Sequence, residues 1–238
     1  LGHAEDDAIA RNGWQYLEGA SYGVNSYDRT ALSLDTLENY LGMETMARVM
    51  RTYHQRWRLR HPTLKDFIET VNVVSGRNMD WFFQQFFYSA NRVDYAVADI
   101  VRESTGEEVG IYDEGGKKKF YSQEAADEAA DTNKNKRERS TVIVRRLGGA
   151  AAPVDVLVRF EDGGVSREQW DGQYRWVKFV YDKPVKSAEV DPERRLALEA
   201  NLTNNSRTVA ADNRAAAKWY LRWIFWLENL FMAGSFFG

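Results

Sequence analysis

The 238-residue sequence contains no cysteine, only four prolines and only three histidines. The lack of cysteine excludes a disulfide scaffold, thiolate chemistry and a cysteine-ligated zinc. It suits a reducing compartment, or an exported protein that does without bridges. Neither sign of charge dominates: 32 Lys and Arg stand against 35 Asp and Glu, a net −3. The basic footprint of a nucleic-acid binder is therefore missing, and no nucleic-acid partner is expected. No basic-then-apolar signal segment opens the chain, which starts at Leu1 without Met and reads as a piece cut from a longer protein. A membrane-spanning helix needs about 20 mostly apolar residues, and the apolar stretch from Trp219 to Phe237 is interrupted by Arg222 and by Glu228-Asn229.

Helical patterns fill the first ninety or so residues. A loop rich in Gly, Ser and Asn, centred on Ser21 to Ser26, leads into a helix. There Tyr27, Ala31, Leu34, Leu37 and Leu41 recur at helical spacing, and Gly42 stops the pattern. A tyrosine at the first turn of such a helix either packs its N-terminus or points a hydroxyl into a cleft. Tyr22 lies five residues upstream in the loop. A second helix, about Met43 to Arg58, puts Met46, Val49, Met50, Tyr53 and Trp57 on one face. Its basic end (Arg48, Arg51, Arg56, Arg58, Arg60) suits the helix dipole and reads as a solvated face. Pro62-Thr63 opens a third helix, with Asp66 as the capping-box acid and Leu64, Phe67, Ile68, Val71 and Val74 buried; Gly76 ends it. The fourth, from Trp81 to about Tyr88, is dense with aromatics that read as core.

From about Asp94 the period becomes two. Tyr95 to Val101, Thr141 to Arg146, Val154 to Phe160 and Trp176 to Tyr181 read as strands, with a further one near Ser187 to Val190. Gly turns at this spacing predict a small antiparallel β-sandwich. Gly115-Gly116-Lys117-Lys118-Lys119 lacks the spacing of a phosphate loop and is expected to form a hairpin or surface loop. The charged run after it reads as a solvated tip. Asn201-Leu202-Thr203 and Asn204-Asn205-Ser206 match the glycosylation sequon, which matters only for a eukaryotic secreted protein. In the last stretch Trp223, Trp226, Leu227, Leu230 and Phe231 share a face. The first reading is an amphipathic helix packed on its own protein; the second is contact with a membrane surface through residues 219–237.

One segment is more specific. Tyr27-Asp28-Arg29-Thr30, then His61-Pro62-Thr63, Asp66-Phe67, Ser75-Gly76 and Asp80-Trp81-Phe82-Phe83-Gln84-Gln85 follow in that order. In combination they resemble the closing helices of the catalytic domain in zinc aminopeptidases of the membrane alanyl aminopeptidase (gluzincin) family. That family usually reads Tyr-Glu-Lys-Gly at the first motif, so Thr30 stands where glycine is usual. Pro153-Val154, the turn from Phe160 to Gly163, Trp170-Asp171-Gly172 and Val190-Asp191-Pro192 are similar to phrases of its β-domain.

The resemblance implies a multi-domain α and β chain. Residues 1–93 would be the helical end of a thermolysin-like catalytic domain, residues 94–200 a β-sandwich with a charged loop at about 103–140, and residues 201–238 a helical tail. It implies zinc in the parent protein, a peptide substrate there, and an upstream catalytic domain as partner. The zinc frame, His-Glu-x-x-His with a further carboxylate, is not expected here: His3, His54 and His61 form no such frame. Nucleophilic hydrolase chemistry is not expected either, and Glu5-Asp6-Asp7 reads as a solvated run. The fragment alone should be inactive.

By resemblance Tyr27 matches the tyrosine that donates a hydrogen bond to the developing oxyanion, with Tyr22 a second, weaker candidate near substrate. The alternative is a non-catalytic peptide-binding or scaffold protein derived from the family and tethered to a membrane. The expected location is bacterial, exported or membrane-associated, with the cytoplasm left open.

Overall fold

The computed structural model describes residues 2–105, 110–114, 117–121, 137–210 and 214–235. Helices come first: α1 (Gly19–Gly23), a π-helical turn (Val24–Arg29), α2 (Thr30–Leu41), α3 (Met43–Trp57), α4 (Leu64–Ser75) and α5 (Asp80–Phe86). Among the described residues nine strands follow: β1 (Tyr95–Thr105), β2 (Gly110–Glu114), β3 (Lys117–Tyr121), β4 (Arg137–Arg146), β5 (Val154–Phe160), β6 (Val165–Trp170), β7 (Trp176–Tyr181), β8 (Val185–Val190) and β9 (Ser206–Thr208). A final helix, α6, spans Arg214–Ser235. The chain divides into two compact units, Leu1–Arg207 and Thr208–Gly238.

Local chemistry fixes several element ends. At the start of α4 the Thr63 amide donates to Asp66 Oδ2 at 2.7 Å, closing the capping box that the sequence pattern predicts. Gly42, with φ +84°, lets α2 stop and α3 start without an intervening loop. The helical core is aromatic: Phe82, Phe83, Phe86 and Phe87 are buried with Leu37, Met46, Val49 and Val71. Phe82 stacks on Phe86 with centroids 4.5 Å apart. Met50, expected on the buried face of α3, is instead exposed. The arginines at the end of α3 are exposed, as expected.

The architecture is mixed α and β. Among the described residues the strands form three sheets, ordered β1-β4-β7, β2-β3 and β6-β5-β8-β9, and β1/β4, β4/β7, β2/β3, β5/β6 and β5/β8 pair antiparallel. Val142 and Val144 of the first large sheet and Val156, Val158, Ala188 and Val190 of the second share one buried apolar set. The sequence reading placed no strand at Val165–Trp170. That strand is an edge whose side chains are mostly exposed or half-buried, so its alternation is weakly apolar. Lys117 pairs with Glu114 in the β2–β3 hairpin, and residues 115–116 and the charged run at 122–136 lie outside the described residues. The end of that run, Arg137 to Ser140, belongs to β4 rather than to a tip.

Two tyrosines bond to the segment that leads into β5. Tyr40 on α2 donates to the Pro153 carbonyl at 2.6 Å. Tyr95 on β1 donates to the Ala152 carbonyl and accepts from the Ala152 amide, both at 2.8 Å. Burial pushes the Tyr95 phenol up to about 12. Gly172 lets this ring in: its φ is +70°, and a Cβ there would meet the Tyr95 hydroxyl and, at 2.6 Å, the Ala152 carbonyl oxygen.

Described by itself, α6 has exposed side chains throughout residues 216–232 except the half-buried Ile224. Trp223, Trp226 and Leu230 are each 66–70% exposed. Among the described residues no helix is long and apolar enough to cross a membrane.

Candidate functional site

The helix expected to begin near Tyr27 begins at Gly19, and Tyr27 lies in the middle of the helical run, on the π turn. The turn has a local cause. Thr30 Oγ1 donates to the Asn25 carbonyl, five residues back, at 2.8 Å. Thr30, the residue that departs from the family pattern, is thus part of the wide turn. Single π turns are rare and concentrate at functional sites.

Widening one turn also changes which residues face inward. An α-helix repeats every 3.6 residues and a π turn needs more, so their combination approximates a period of four. Ser21, Asn25, Arg29, Ser33 and Leu37 follow that period, and all five are buried. The first four are polar. The apolar stripe read from the sequence holds at Leu34, Leu37 and Leu41 but fails at Tyr27 and Ala31, which are exposed.

Arg29 anchors this polar spine. Its Nη1 donates to the carbonyls of Ala4 (2.8 Å) and Asp7 (3.1 Å) and to Asn25 Oδ1 (3.2 Å). Its Nη2 donates to the carbonyls of Ser89 (3.0 Å) and Asn91 (3.2 Å). Burial lowers its pKa from the usual arginine range. Asp7, expected to be solvated, is buried. It accepts from Ser21 Oγ at 2.6 Å, from the Leu17 amide at 2.8 Å and from Arg11 at 2.6 Å. The Ser21 bond, then the Leu17 bond, hold its carboxyl below the usual range. The Ser33 hydroxyl has no hydrogen-bond partner among the described residues.

Ser21 also completes a Gly19-Ala20-Ser21-Tyr22-Gly23 frame, which has the G-x-S-x-G form and runs against the expectation of no nucleophile. The form needs a strained strand-to-helix turn that exposes the serine. Here the serine is inside a helix, is buried, and donates its hydrogen bond to Asp7. This frame is therefore not arranged as a nucleophile elbow.

Outside this spine the tyrosines form an open ladder. Tyr16 and Tyr22 meet edge-to-face at 5.3 Å, and Tyr22 and Tyr27 at 6.4 Å. Tyr27 is 68% exposed and Tyr22 42%, so both rings reach solvent. Tyr27 does not pack the helix N-terminus.

No family model matches this chain. No curated protein matches it either. Among solved structures it is similar to Legionella pneumophila aminopeptidase A in complex with aspartic acid, at 12% identity and a TM-score of 0.44. The match covers 76% of this chain and 18% of that one, so the chain spans under a fifth of that neighbour's length.

Among the described residues one set of three could share a cation: His3, Asp6 and Glu18, all exposed. His3 Nδ1 lies 2.9 Å from both Asp6 Oδ2 and Glu18 Oε1, so these groups satisfy one another. They are not the His-Glu-x-x-His set that a zinc peptidase requires. His54 and His61 are exposed on other parts of the helical region.

A cavity of about 370 Å³ lies beside the spine, lined by Arg29, Leu32, Arg92, Val93 and Glu199 among others. Glu199 accepts from the amides of Tyr95 (3.1 Å) and Asn201 (3.2 Å). Burial nevertheless pushes its carboxyl up to about 7, with Asp94 adding to the rise. The nearby sequon asparagines are engaged internally. Asn204 donates to Asp94 Oδ1 at 3.0 Å, and Asn201 Oδ1 accepts from Thr203.

Sequence reasoning misses the spine residues because a polar residue carries no apolar periodic signal for burial. Their four-residue spacing was the available signal.

Proposed function

We propose that this chain is the C-terminal part of a zinc aminopeptidase-like protein that removes N-terminal residues from peptides, and that Tyr27 stabilises the oxyanion in the parent. The observation that carries this is the placement of Tyr27. Its ring is exposed on a π turn whose opposite side is fixed by the buried Asn25 and Arg29. A phenol on so well-braced a backbone offers a hydrogen-bond donor to charge that develops elsewhere, which is the requirement for oxyanion stabilisation. The motif order from Tyr27 to Gln85 supports the same reading. Zinc, held by residues of the parent, would supply the activated water and polarise the substrate carbonyl. Tyr22, edge-on to Tyr27, would orient it or touch substrate.

The test begins upstream of the codon for Leu1. A His-Glu-x-x-His frame with a further Glu should be found there. In the full-length protein, Tyr27→Phe should then lower kcat by about 10²–10³ while zinc content is unchanged. A missing frame, or a variant with undiminished kcat, would return Tyr27 to a surface aromatic and favour a binding or scaffold role.

A further inference from the structure

We propose that α6 lies along an anionic lipid surface, with its aromatic side chains at headgroup level and its cations on lipid phosphates. The first observation is exposure. Trp219, Tyr220, Leu221, Trp223, Phe225 and Trp226 are each 61–70% exposed, far from the isolated surface hydrophobe that needs no explanation.

The second is their distribution. At about 100° per residue, Trp219, Trp223, Trp226 and Leu230 fall on one side of the helix and Leu221 and Phe225 on the other. Only Lys218, Arg222 and Asn229 make a polar strip, and it is narrow. A helix that pairs with one partner helix needs an apolar stripe of roughly 100°, with a polar remainder. A second copy would cover only a stripe of that width, and much of the arc from Trp226 through Trp223 and Tyr220 to Leu221 would stay in water. A lipid surface takes up this broader arc while the strip of Lys218, Arg222 and Asn229 faces the headgroups.

Composition then selects the depth. Indole and phenol rings favour the membrane–water boundary, where an apolar body and a polar edge are both served. Lys218, Arg222, Glu228 and Asn229 lie within the helix, and charged groups at the bilayer centre are costly. The helix is therefore suited to the surface plane rather than to a span. Charge selects the lipid: Lys218 and Arg222 face a single acid, Glu228, among residues 216–232. The Arg222 guanidinium lies 5.4 Å from the centre of the Trp219 ring, so cation and aromatic sit at one level, as a headgroup contact requires.

The experiment uses the whole chain with vesicles of phosphatidylcholine alone and of phosphatidylcholine with about one third phosphatidylglycerol. Flotation measures partition, and tryptophan quenching by brominated lipid reports depth. Three proteins are compared: the unaltered chain, Trp223→Ala with Trp226→Ala, and Lys218→Glu with Arg222→Glu. Binding should be roughly tenfold tighter to the anionic vesicles. The tryptophan variant should lose at least about tenfold on both kinds of vesicle. The charge variant should lose the preference for phosphatidylglycerol, while circular dichroism shows its helix content retained. No binding to either vesicle, equal binding to both, or binding unchanged in both variants would overturn the proposal. So would self-association in lipid-free buffer that depends on Trp223 and Trp226 without vesicle binding, which would make a second copy the occupant.

Discussion

The Ser21 hydroxyl donates to Asp7 Oδ2 at 2.6 Å, and both side chains are buried although fourteen residues separate them. This bond ties the N-terminal segment to α1 and keeps a carboxylate ionised away from water. It also explains why the first helix begins eight residues earlier than its apolar pattern: polar contacts, not apolar ones, cover its opening turns.

Ser21→Ala should make the protein more acid-sensitive. The Asp7 pKa is lowered in the folded chain, chiefly by Ser21 and then by the Leu17 amide. Its contribution to stability is thus present above the unfolded value of about 3.9 and is lost as pH falls through the lower folded value. Removing the hydroxyl brings the folded value back towards the unfolded one. Melting curves between pH 2 and about pH 6 should show a lower Tm near neutrality and unfolding that starts at higher pH. An unchanged acid limb would show that the bond does not hold the charge.

Arg29→Lys should destabilise by about 1.5–3 kcal/mol. The guanidinium fork reaches four backbone carbonyls and Asn25 Oδ1. An ammonium has three donors in a different geometry and leaves some of these acceptors buried and unpaired. Urea denaturation measures the loss. A variant as stable as the original would mean that the carbonyls find other partners.

Glu199→Gln should remove a pH dependence of the opposite sign. The folded Glu199 pKa is raised to about 7, so its contribution is complete below the unfolded value of about 4.3 and is lost as pH rises through about 7. The original chain should lose Tm between those limits, and the glutamine variant should be flat there. A constant offset is expected as well, because the amide keeps only one of the two acceptor oxygens that serve Tyr95 and Asn201. A slope retained in Glu199→Gln would assign the titration to another group.

Tyr95→Phe should cost about 1–3 kcal/mol with little change of shape. It leaves the amide and carbonyl of Ala152 buried without their partner. Gly172→Ala should be at least as severe, since positive φ and crowding against Ala152 act together. Equal stability of Tyr95→Phe and the original would indicate that water replaces the hydroxyl.

Much of the fold was legible because its signals are local. The Thr63–Asp66 box, the stop at Gly76, the aromatic core of α5 and the alternation of β5 and β7 each depend on residues within one element. The failures have local reasons too. Edge strand β6 buries little, so its sequence lacks the apolar alternation that marks β5. Tyr27 was aligned with an apolar stripe of period 3.6, whereas the π turn rotates it outward. Asp7 looked like part of an acidic run, and only its distant partners show that it is enclosed.

The sequence by itself determined the order and kind of most of the elements, the exclusion of thiolate chemistry and the closeness of Tyr22 and Tyr27 along the chain. Those outcomes follow from residue identity and near-neighbour spacing. The tertiary structure alone decided which polar residues are buried and which aromatics are exposed. Arg29 meets carbonyls 25, 22, 60 and 62 residues away. No periodic pattern encodes such meetings, because each is satisfied only when several separately stable elements have closed around the same side chain.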